Sequence, residues 1–418
     1  MIDEMEAEMG LAPLELEHQP LGVFGLPAGM LLLPDSQYGL EVSGLLRAGR
    51  RPEVFPDDMR FYELALAESD PSDIIAALPP EGLLRDFNEL ALNPSRTSYE
   101  SLIKRTSGDL ALLVDWQGYL NGYCELPDFK LAEAATVAAT LASSRASYLI
   151  EIQDELGAAT LLRTAIALAV CASPVLAAGL RADLAQLLLR DQATHHEAIE
   201  HLRLSLAALG DAQVPELVAE VHLNLAIALH DHASADPRSL REAVQHYMEA
   251  TRLVSAQSSP FVFGTAHMNL ALAYLSMPMT EASDQLRYGI AIASLRHAVA
   301  AFDPTVFPEG WASARLNLAN ALVYAPSARQ GDNLVEAVEI YEELLELRNR
   351  NLDPIGYARV AANQGNVLAH LGMFDHAKAK LHDARAIFEE FSMYFEISAI
   401  REVLDHIERE RVGRGSSE

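Results

Sequence analysis

Histidines near residue 200 are the first residues of this chain that could do chemistry, because a neutral imidazole is a common metal ligand. The run HHEAIEH places His196, Glu197 and His201 close together in sequence. A helical zinc motif needs two histidines four residues apart, so that both lie on one face. His196 and His201 are five residues apart, which favours solvated helix histidines. Neither a metal nor a cofactor is expected.

Catalytic patterns are also missing elsewhere in the sequence. No glycine-rich phosphate loop follows a strand pattern, and no serine elbow or cysteine–histidine pattern is present. The two cysteines, Cys124 and Cys171, are too few for a disulfide framework or a thiolate metal site. The chain is therefore not expected to be an enzyme.

Asparagines give the clearest candidate binding pattern. Four of them stand two residues before a small residue that recurs along the chain, and two more stand about one turn further on. A carboxamide offers both a donor and an acceptor, so a row of them can pair with the backbone of an extended peptide. The alternative is that these amides hydrogen-bond neighbouring helices within the fold. The six are Asn224, Asn269, Asn317, Asn363, Asn320 and Asn366.

The elements that carry these residues repeat with a long period. Five prolines recur at intervals of 41, 45, 48 and 46 residues, and a small residue follows each proline by eleven positions. Such self-similarity is typical of repeat proteins. A weaker sixth unit begins at Pro127. The prolines are Pro174, Pro215, Pro260, Pro308 and Pro354, and the small residues are Ala185, Ala226, Ala271, Ala319 and Gly365.

A second set of residues follows each small residue with helical spacing of i, i+4, i+7, which places its members on one helix face. Each unit is therefore predicted to be a pair of amphipathic helices, with proline in the first turn of the first helix, where its missing N–H has no cost. The sets are Ala198–Leu202–Ser205, Ala243–Tyr247–Ala250, Ala291–Leu295–Ala298, Ala337–Tyr341–Leu344 and Ala377–Leu381–Ala384.

These residues resemble the tetratricopeptide repeat, whose pattern the runs NLALAY (269–274) and EAVEIYEELLEL (336–347) match closely. The resemblance implies an all-α, right-handed solenoid of helix hairpins. The family repeat has about 34 residues, whereas these units have 41 to 48. The excess lies in the loop within each hairpin and looks like the long-loop type of bacterial repeat proteins.

The resemblance also implies a place for the asparagines, because first helices line the concave groove in this family. The arrangement is similar to that of the cargo-binding kinesin light chain. A basic clamp for a terminal carboxylate is not expected, because the positions one turn before the small residues are apolar. Acid is expected at the groove rim, at Glu220 and Asp231. The apolar positions are Leu223, Met268, Leu316 and Ala362.

Composition divides the chain into five predicted parts. Residues 1–56 form an acidic arm with glycine and proline, either a hairpin or extended, and residues 57–126 form a helical N-terminal region. Residues 127–392 form the solenoid of five or six repeats, followed by a capping helix at 393–412 and a disordered tail at 413–418. Whether the first 126 residues fold independently or cap the solenoid stays open.

Charge limits the partners. The formal net charge is −28, which disfavours nucleic acid and anionic membranes and favours a partner with a basic surface. The acidic N-terminus is unlike a secretory signal, and the longest uncharged run contains Ser173 and Pro174 and is unlike a membrane span. A cytoplasmic protein without membrane insertion is expected; the oligomeric state is open.

Three functions fit these observations. The first is a scaffold or adaptor that holds an extended segment of a partner protein in the groove. The second is a structural or assembly subunit of a larger enzyme, since residues 61–123 are similar to repeat proteins that accompany uptake hydrogenases. The third is a sensor of a peptide or small ligand, as in some bacterial relatives of this repeat type.

Overall fold

The computed structural model describes residues 15–35, 37–234, 237–278, 285–326, 330–348 and 350–415. Within these residues the regular structure is helical, with no strand. The first helices are short: α1 (Gln37–Arg47), α2 (Arg60–Leu66), α3 (Pro71–Ala76), α4 (Leu83–Leu92), α5 (Arg96–Leu102) and α6 (Gly108–Leu120).

Longer helices follow in pairs. They are α7 (Ala135–Glu151), α8 (Glu155–Ala172), α9 (Pro174–Leu188), α10 (His195–Leu209), α11 (Pro215–Asp231), α12 (Pro237–Leu253), α13 (Pro260–Ser276), α14 (Gln285–Ala301), α15 (Pro308–Tyr324), α16 (Gln330–Leu347), α17 (Pro354–His370), α18 (Phe374–Glu390) and α19 (Tyr394–Gly415).

The chain divides into two compact units, Met1–Leu229 and His230–Glu418. In the first, α7 to α10 pack consecutively; in the second, α12 to α19 do so. Alternate helices of the second unit also touch, α13 with α15 and α15 with α17. Each unit is thus a stack of helix hairpins, and the predicted all-α solenoid class is confirmed.

Prolines occupy the first turn of α9, α13, α15 and α17, where their fixed φ suits the helix. Pro174, Pro260, Pro308 and Pro354 occupy that position. At α9 the preceding Ser173 also caps the helix, because its Oγ accepts from the backbone N–H of Leu176 at 3.2 Å. Proline and cap together end one hairpin and start the next.

The small residues of the first helices are buried within their own units. Ala185, Ala226, Ala271 and Ala319 are fully buried. At Gly365 even a methyl group would not fit, because a Cβ there would lie 2.7 Å from Cγ of Leu381 in α18. Gly365 therefore marks a close approach of the paired helices α17 and α18. The second-helix triplets are buried as well, from Ala198, Leu202 and Ser205 to Ala377, Leu381 and Ala384.

The N-terminal residues contain 3₁₀ turns and short helices. Residues 1–14 of the predicted arm lie outside the described residues. Within that arm the structure has helix α1, although Gly39 and Gly44 lower its helix propensity. Burial of Val42 and Leu46 in a cluster with α2 explains the helix. Tertiary packing has overridden local preference here.

Two buried amides hold the backbone of residues 31–33. Asn88 accepts from the N–H of Leu32 at 2.8 Å and donates to its C=O at 2.9 Å. Gln19 forms the same pair of hydrogen bonds with Leu33, at 2.6 and 3.2 Å. Leu31 has extended dihedral angles. Side-chain amides thus satisfy a backbone segment that pairs with no strand.

The N-terminal region packs on the longer helices of its own unit. Arg47 donates to the carbonyl of Ala172 at 3.2 Å, and Ser173 donates to the carbonyl of Arg47 at 3.0 Å. The backbone N–H of Gln213 donates to the carbonyl of Gly49 at 2.6 Å. The left-handed φ of +69° at Gly49 lets the chain turn at this contact, since glycine has no Cβ to hinder that conformation. These contacts fix residues 47–51 against α9 and the start of α11.

Helix α8 is, among the described helices, the one long and apolar enough to cross a membrane by length and composition. It packs against both α7 and α9, with Ala158, Leu162, Ala165 and Ala169 buried. A third of its residues are buried, while Leu156 and Val170 are exposed.

The C-terminal helix α19 runs from Tyr394 to Gly415, where the sequence analysis predicts a cap at 393–412. It therefore extends into the predicted tail, of which residues 416–418 lie outside the described residues. Ile400, Leu404 and Ile407 are buried in the core of the second unit. Within the predicted long loops, residues 235–236, 279–284 and 327–329 are likewise not described.

Candidate functional site

The first helices of three successive hairpins in the second unit present a face that we call the amide face, defined by Asn269, Asn317 and Asn363. These residues occupy equivalent positions on α13, α15 and α17, and each is half-buried. Because α15 touches both neighbours, the three amides follow one another along adjacent helices. This arrangement can present donors and acceptors to a chain that crosses the helices.

Two of the predicted amides are joined by a hydrogen bond. Asn363 donates to Oδ1 of Asn320 at 3.0 Å, and the hydroxyl of Tyr341 donates to the same oxygen at 2.7 Å. Burial raises the pKa of Tyr341 above its usual range. Asn320 therefore links α15, α16 and α17, a packing role that the sequence analysis leaves open for these amides.

The remaining predicted amides differ in their surroundings. Asn269 and Asn317 make no side-chain hydrogen bond to a described residue, and Asn366 is half-buried. Asn224 belongs to the first unit and is 9% exposed, and its Nδ2 has no partner among the described residues. Only Asn320 and Asn363 are brought into contact with each other.

Apolar side chains lie beside the amides. Met268, Leu316 and Ala362 are partly buried and pack against the core of the second unit. Arg359, a base on α17, lies 3.4 Å from Glu396. The face is thus apolar and amide-bearing, and this base is already paired with an acid.

An arginine–tryptophan pair on α15 was not among the predicted site residues. The guanidinium of Arg315 lies over the ring of Trp311, 5.6 Å from its centroid, and forms an ion pair with Glu343. Burial lowers the pKa of Arg315. The i, i+4 spacing of Trp311 and Arg315 is the signal that predicts such stacking.

The histidines of 195–201 have separate partners. Glu197 accepts from Arg163 at 2.6 Å, and this bond is the main cause of its lowered pKa. His201 lies 3.7 Å from Glu197 and burial lowers its pKa. His195 contacts the carbonyl of Leu189, and His196 is exposed. Within the described residues no three potential ligands form a metal-binding group.

No protein-family model matches the sequence, and no characterised protein matches it significantly. Among solved structures, the chain is similar to a signal transduction ATPase with numerous domains from Pyrococcus horikoshii, which carries a tetratricopeptide repeat sensor. The TM-score is 0.53 at 15% identity, and the match covers 83% of this chain but only 51% of that protein. This chain thus spans about half of that neighbour's length.

Two further structures match with TM-scores that are too low to establish a common fold. BtubC from P. vanneervenii has a TM-score of 0.40 at 19% identity, covering 62% of this chain and 92% of that one. Aspartyl phosphate phosphatase F from Bacillus subtilis has a TM-score of 0.43 at 14% identity, covering 84% and 90%. The shared property that the archaeal neighbour establishes is an all-α helical-repeat fold.

Proposed function

We propose that this chain is a tetratricopeptide-type adaptor that acts without catalysis and binds an extended segment of a partner protein on the amide face. The observation that carries the proposal is the recurrence of half-buried asparagines on α13, α15 and α17, two of which have no hydrogen-bond partner among the described residues. Unused amides at a helix surface can pair with a peptide backbone regardless of its side chains.

The chain itself provides a precedent for this chemistry. Asn88 and Gln19 hold the backbone of Leu32 and Leu33 through paired donor and acceptor bonds. Asn269 and Asn317 carry the same groups at a surface that is open to water. The backbone of a partner segment would form with them the same paired donor and acceptor hydrogen bonds that residues 32–33 form within the fold.

The net charge supports a basic partner, and the free cysteines support a cytoplasmic location. The net charge of −28 steers basic segments toward the protein and repels polyanions. The free cysteines Cys124 and Cys171 fit the reducing cytoplasm. We propose that the interaction occurs in the cytoplasm and that the partner is basic.

The test begins with peptides selected by the purified full chain from a display library of random unstructured sequences. Binding of a selected peptide is measured by fluorescence anisotropy, and hydrogen exchange maps its site. Protection is expected in α13, α15 and α17. The Asn269→Ala/Asn317→Ala variant should bind about 5- to 150-fold more weakly, since each lost hydrogen bond is worth roughly 0.5–1.5 kcal/mol.

The matched control is Gln245→Ala/Gln257→Ala, which removes two exposed amides elsewhere in the same unit and should leave affinity unchanged. Protection confined to the first unit, or equal affinities for the two double variants, would show that the amide face is not the binding surface.

A further inference from the structure

A cavity of about 330 Å³ lies inside the first unit, separate from the amide face. One wall is the N-terminal segment 22–28 together with Arg51 and the end of α2. The other wall is Gly179 of α9 and residues 213–220, which begin α11. The volume falls within the range of small-ligand pockets and suits one long side chain.

Apolar and acidic groups share the lining. Phe24, Leu66 and Leu217 supply hydrocarbon surface, and Glu68, Glu216 and Glu220 supply three carboxylates against the single base Arg51. An alkyl chain that ends in a positive charge matches both kinds of surface, because its stem contacts hydrocarbon while its head pairs with carboxylates.

A fourth acid adds to the negative potential. Asp183 stands one turn after Gly179 on α9. Its side chain is exposed to water, although many protein atoms surround its carboxylate. Desolvation of the carboxylate by the surrounding protein raises its pKa to about 6, and the negative charge of Glu220 is the second cause. Glu220 is held by Gln186, which donates to Oε1 at 3.1 Å. Carboxylates that repel one another in this way are stabilised when a cation comes between them.

The end of α2 explains how Glu68 comes to line the cavity. Glu68 has a left-handed φ of +54°, and the N–H of Ser69 bonds the carbonyl of Leu64 at 3.1 Å. Glycine usually occupies this left-handed position after a helix. Here a glutamate occupies it, as Gln153 and Ser392 do after two other helices.

We propose that this cavity binds an alkylguanidinium or alkylammonium group, with Glu68, Glu216 and Glu220 around the charge and the hydrocarbon wall against the stem. The inference concerns the first unit alone and holds whether or not the amide face binds a peptide.

Saturation-transfer difference NMR on the full chain tests it, because the method detects weak ligands. The probe is N-acetyl-argininamide, and its neutral isostere N-acetyl-citrullinamide is the control. Saturation of the arginine side-chain protons is expected, with about tenfold or greater preference over citrulline, as for charge-assisted pairing. Equal signals from the two probes would overturn the proposal.

Two variants place the site. Glu216→Gln/Glu220→Gln should weaken arginine binding about tenfold or more, while Glu133→Gln/Glu151→Gln, at exposed acids outside the cavity, should not. Gly179→Leu should fill the cavity without loss of fold, because a Cβ there meets no atom within 4 Å. Gly289→Leu is its match in the second unit, with similarly open space. Retained binding in Gly179→Leu would overturn the assignment even if the glutamine variant misfolds.

A third probe, butylguanidine, separates the two sources of this chemistry. Tighter binding of N-acetyl-argininamide identifies a peptide side chain as the natural ligand. Equal binding identifies a free cation. Either result is consistent with the cavity as a cation site.

Discussion

At the scale of single residues, Asn320 shows how one amide of a repeated pattern takes on a structural role. Its Oδ1 accepts from the Tyr341 hydroxyl and from Asn363, so it is committed to the fold. Asn317, three positions earlier on α15, has no such partner within the part of the chain that the structure describes. Both side chains are asparagines of α15. The amide oxygen of Asn320 is occupied within the fold, whereas the amide of Asn317 is available to a ligand.

This difference predicts opposite effects of truncation. Asn320→Ala leaves the buried Tyr341 hydroxyl without an acceptor and should reduce stability by about 1–3 kcal/mol, whereas Asn317→Ala should change it little. Thermal denaturation followed by circular dichroism measures both. Asn320→Ala/Tyr341→Phe should recover part of the loss, because both partners are then removed. Equal melting temperatures for the two single variants would contradict the packing role.

Asp183 predicts a pH dependence whose sign follows from its raised pKa. The pKa is about 6 in the fold and 3.8 in the unfolded chain, so between these values the folded state binds more protons. Stability from this group is therefore greatest below pH 3.8 and is lost as pH rises through about 6.

The variant Asp183→Asn removes this titration. At pH 7 its free energy of unfolding should exceed that of the unchanged chain by at most about 1 kcal/mol, since water screens an exposed carboxylate, and its melting temperature should be higher. The difference should shrink toward zero near pH 4. A difference that is constant across this range would mean that Asp183 titrates normally.

At the scale of helices, the hairpin crossing is the decisive contact. Small residues allow first and second helices to approach, and buried triplets on the second helix fill the remaining space. Glycine inside a helix usually weakens it by about 1 kcal/mol relative to alanine. Gly365 occurs inside α17 because Leu381 of α18 occupies the space a side chain would need.

Gly365→Ala should therefore destabilise the protein despite its better helix propensity. Overpacking against Leu381 should cost about 1–3 kcal/mol. The control is Gly289→Ala in α14, where a Cβ meets no atom within 4 Å and which should be neutral or stabilising by up to about 1 kcal/mol. Urea denaturation of both variants measures the difference. Stabilisation by both substitutions would show that the crossing is looser than described.

At the scale of the whole chain, charge dominates how partners are met. With 59 acids against 31 bases, the protein attracts basic segments over distances set by ionic screening. The Debye length is about 30 Å at 0.01 M salt and about 8 Å at 0.15 M. Long-range attraction therefore operates at low salt and is largely confined to direct contacts under physiological conditions.

Association of an oligo-arginine peptide with the full chain should accordingly slow as salt rises between these concentrations. Stopped-flow fluorescence with a labelled peptide measures the rate. A glutamate-rich peptide of equal length should show no binding at low salt. A rate that does not change with salt would indicate that net charge has no part in partner capture.

The sequence by itself determined the repeated hairpins. Proline in the first turn, a small residue at the crossing and an i, i+4, i+7 triplet are local requirements, so their spacing can be read from the chain. Pro354, Gly365 and Ala377 show this in a single unit. The same locality explains why helix α1 was missed, because packing of Val42 and Leu46 stabilises it against its glycines.

Only the tertiary structure decided which polar residues meet. Asn320 and Asn363 are joined across two helices, and Glu68 and Glu220 line one cavity although more than 150 residues separate them. No periodic pattern marks such pairs, because their proximity depends on how distant segments pack and not on the spacing along one helix. The repeat could therefore be predicted from the sequence, while the division of its amides and acids between packing and binding required the fold.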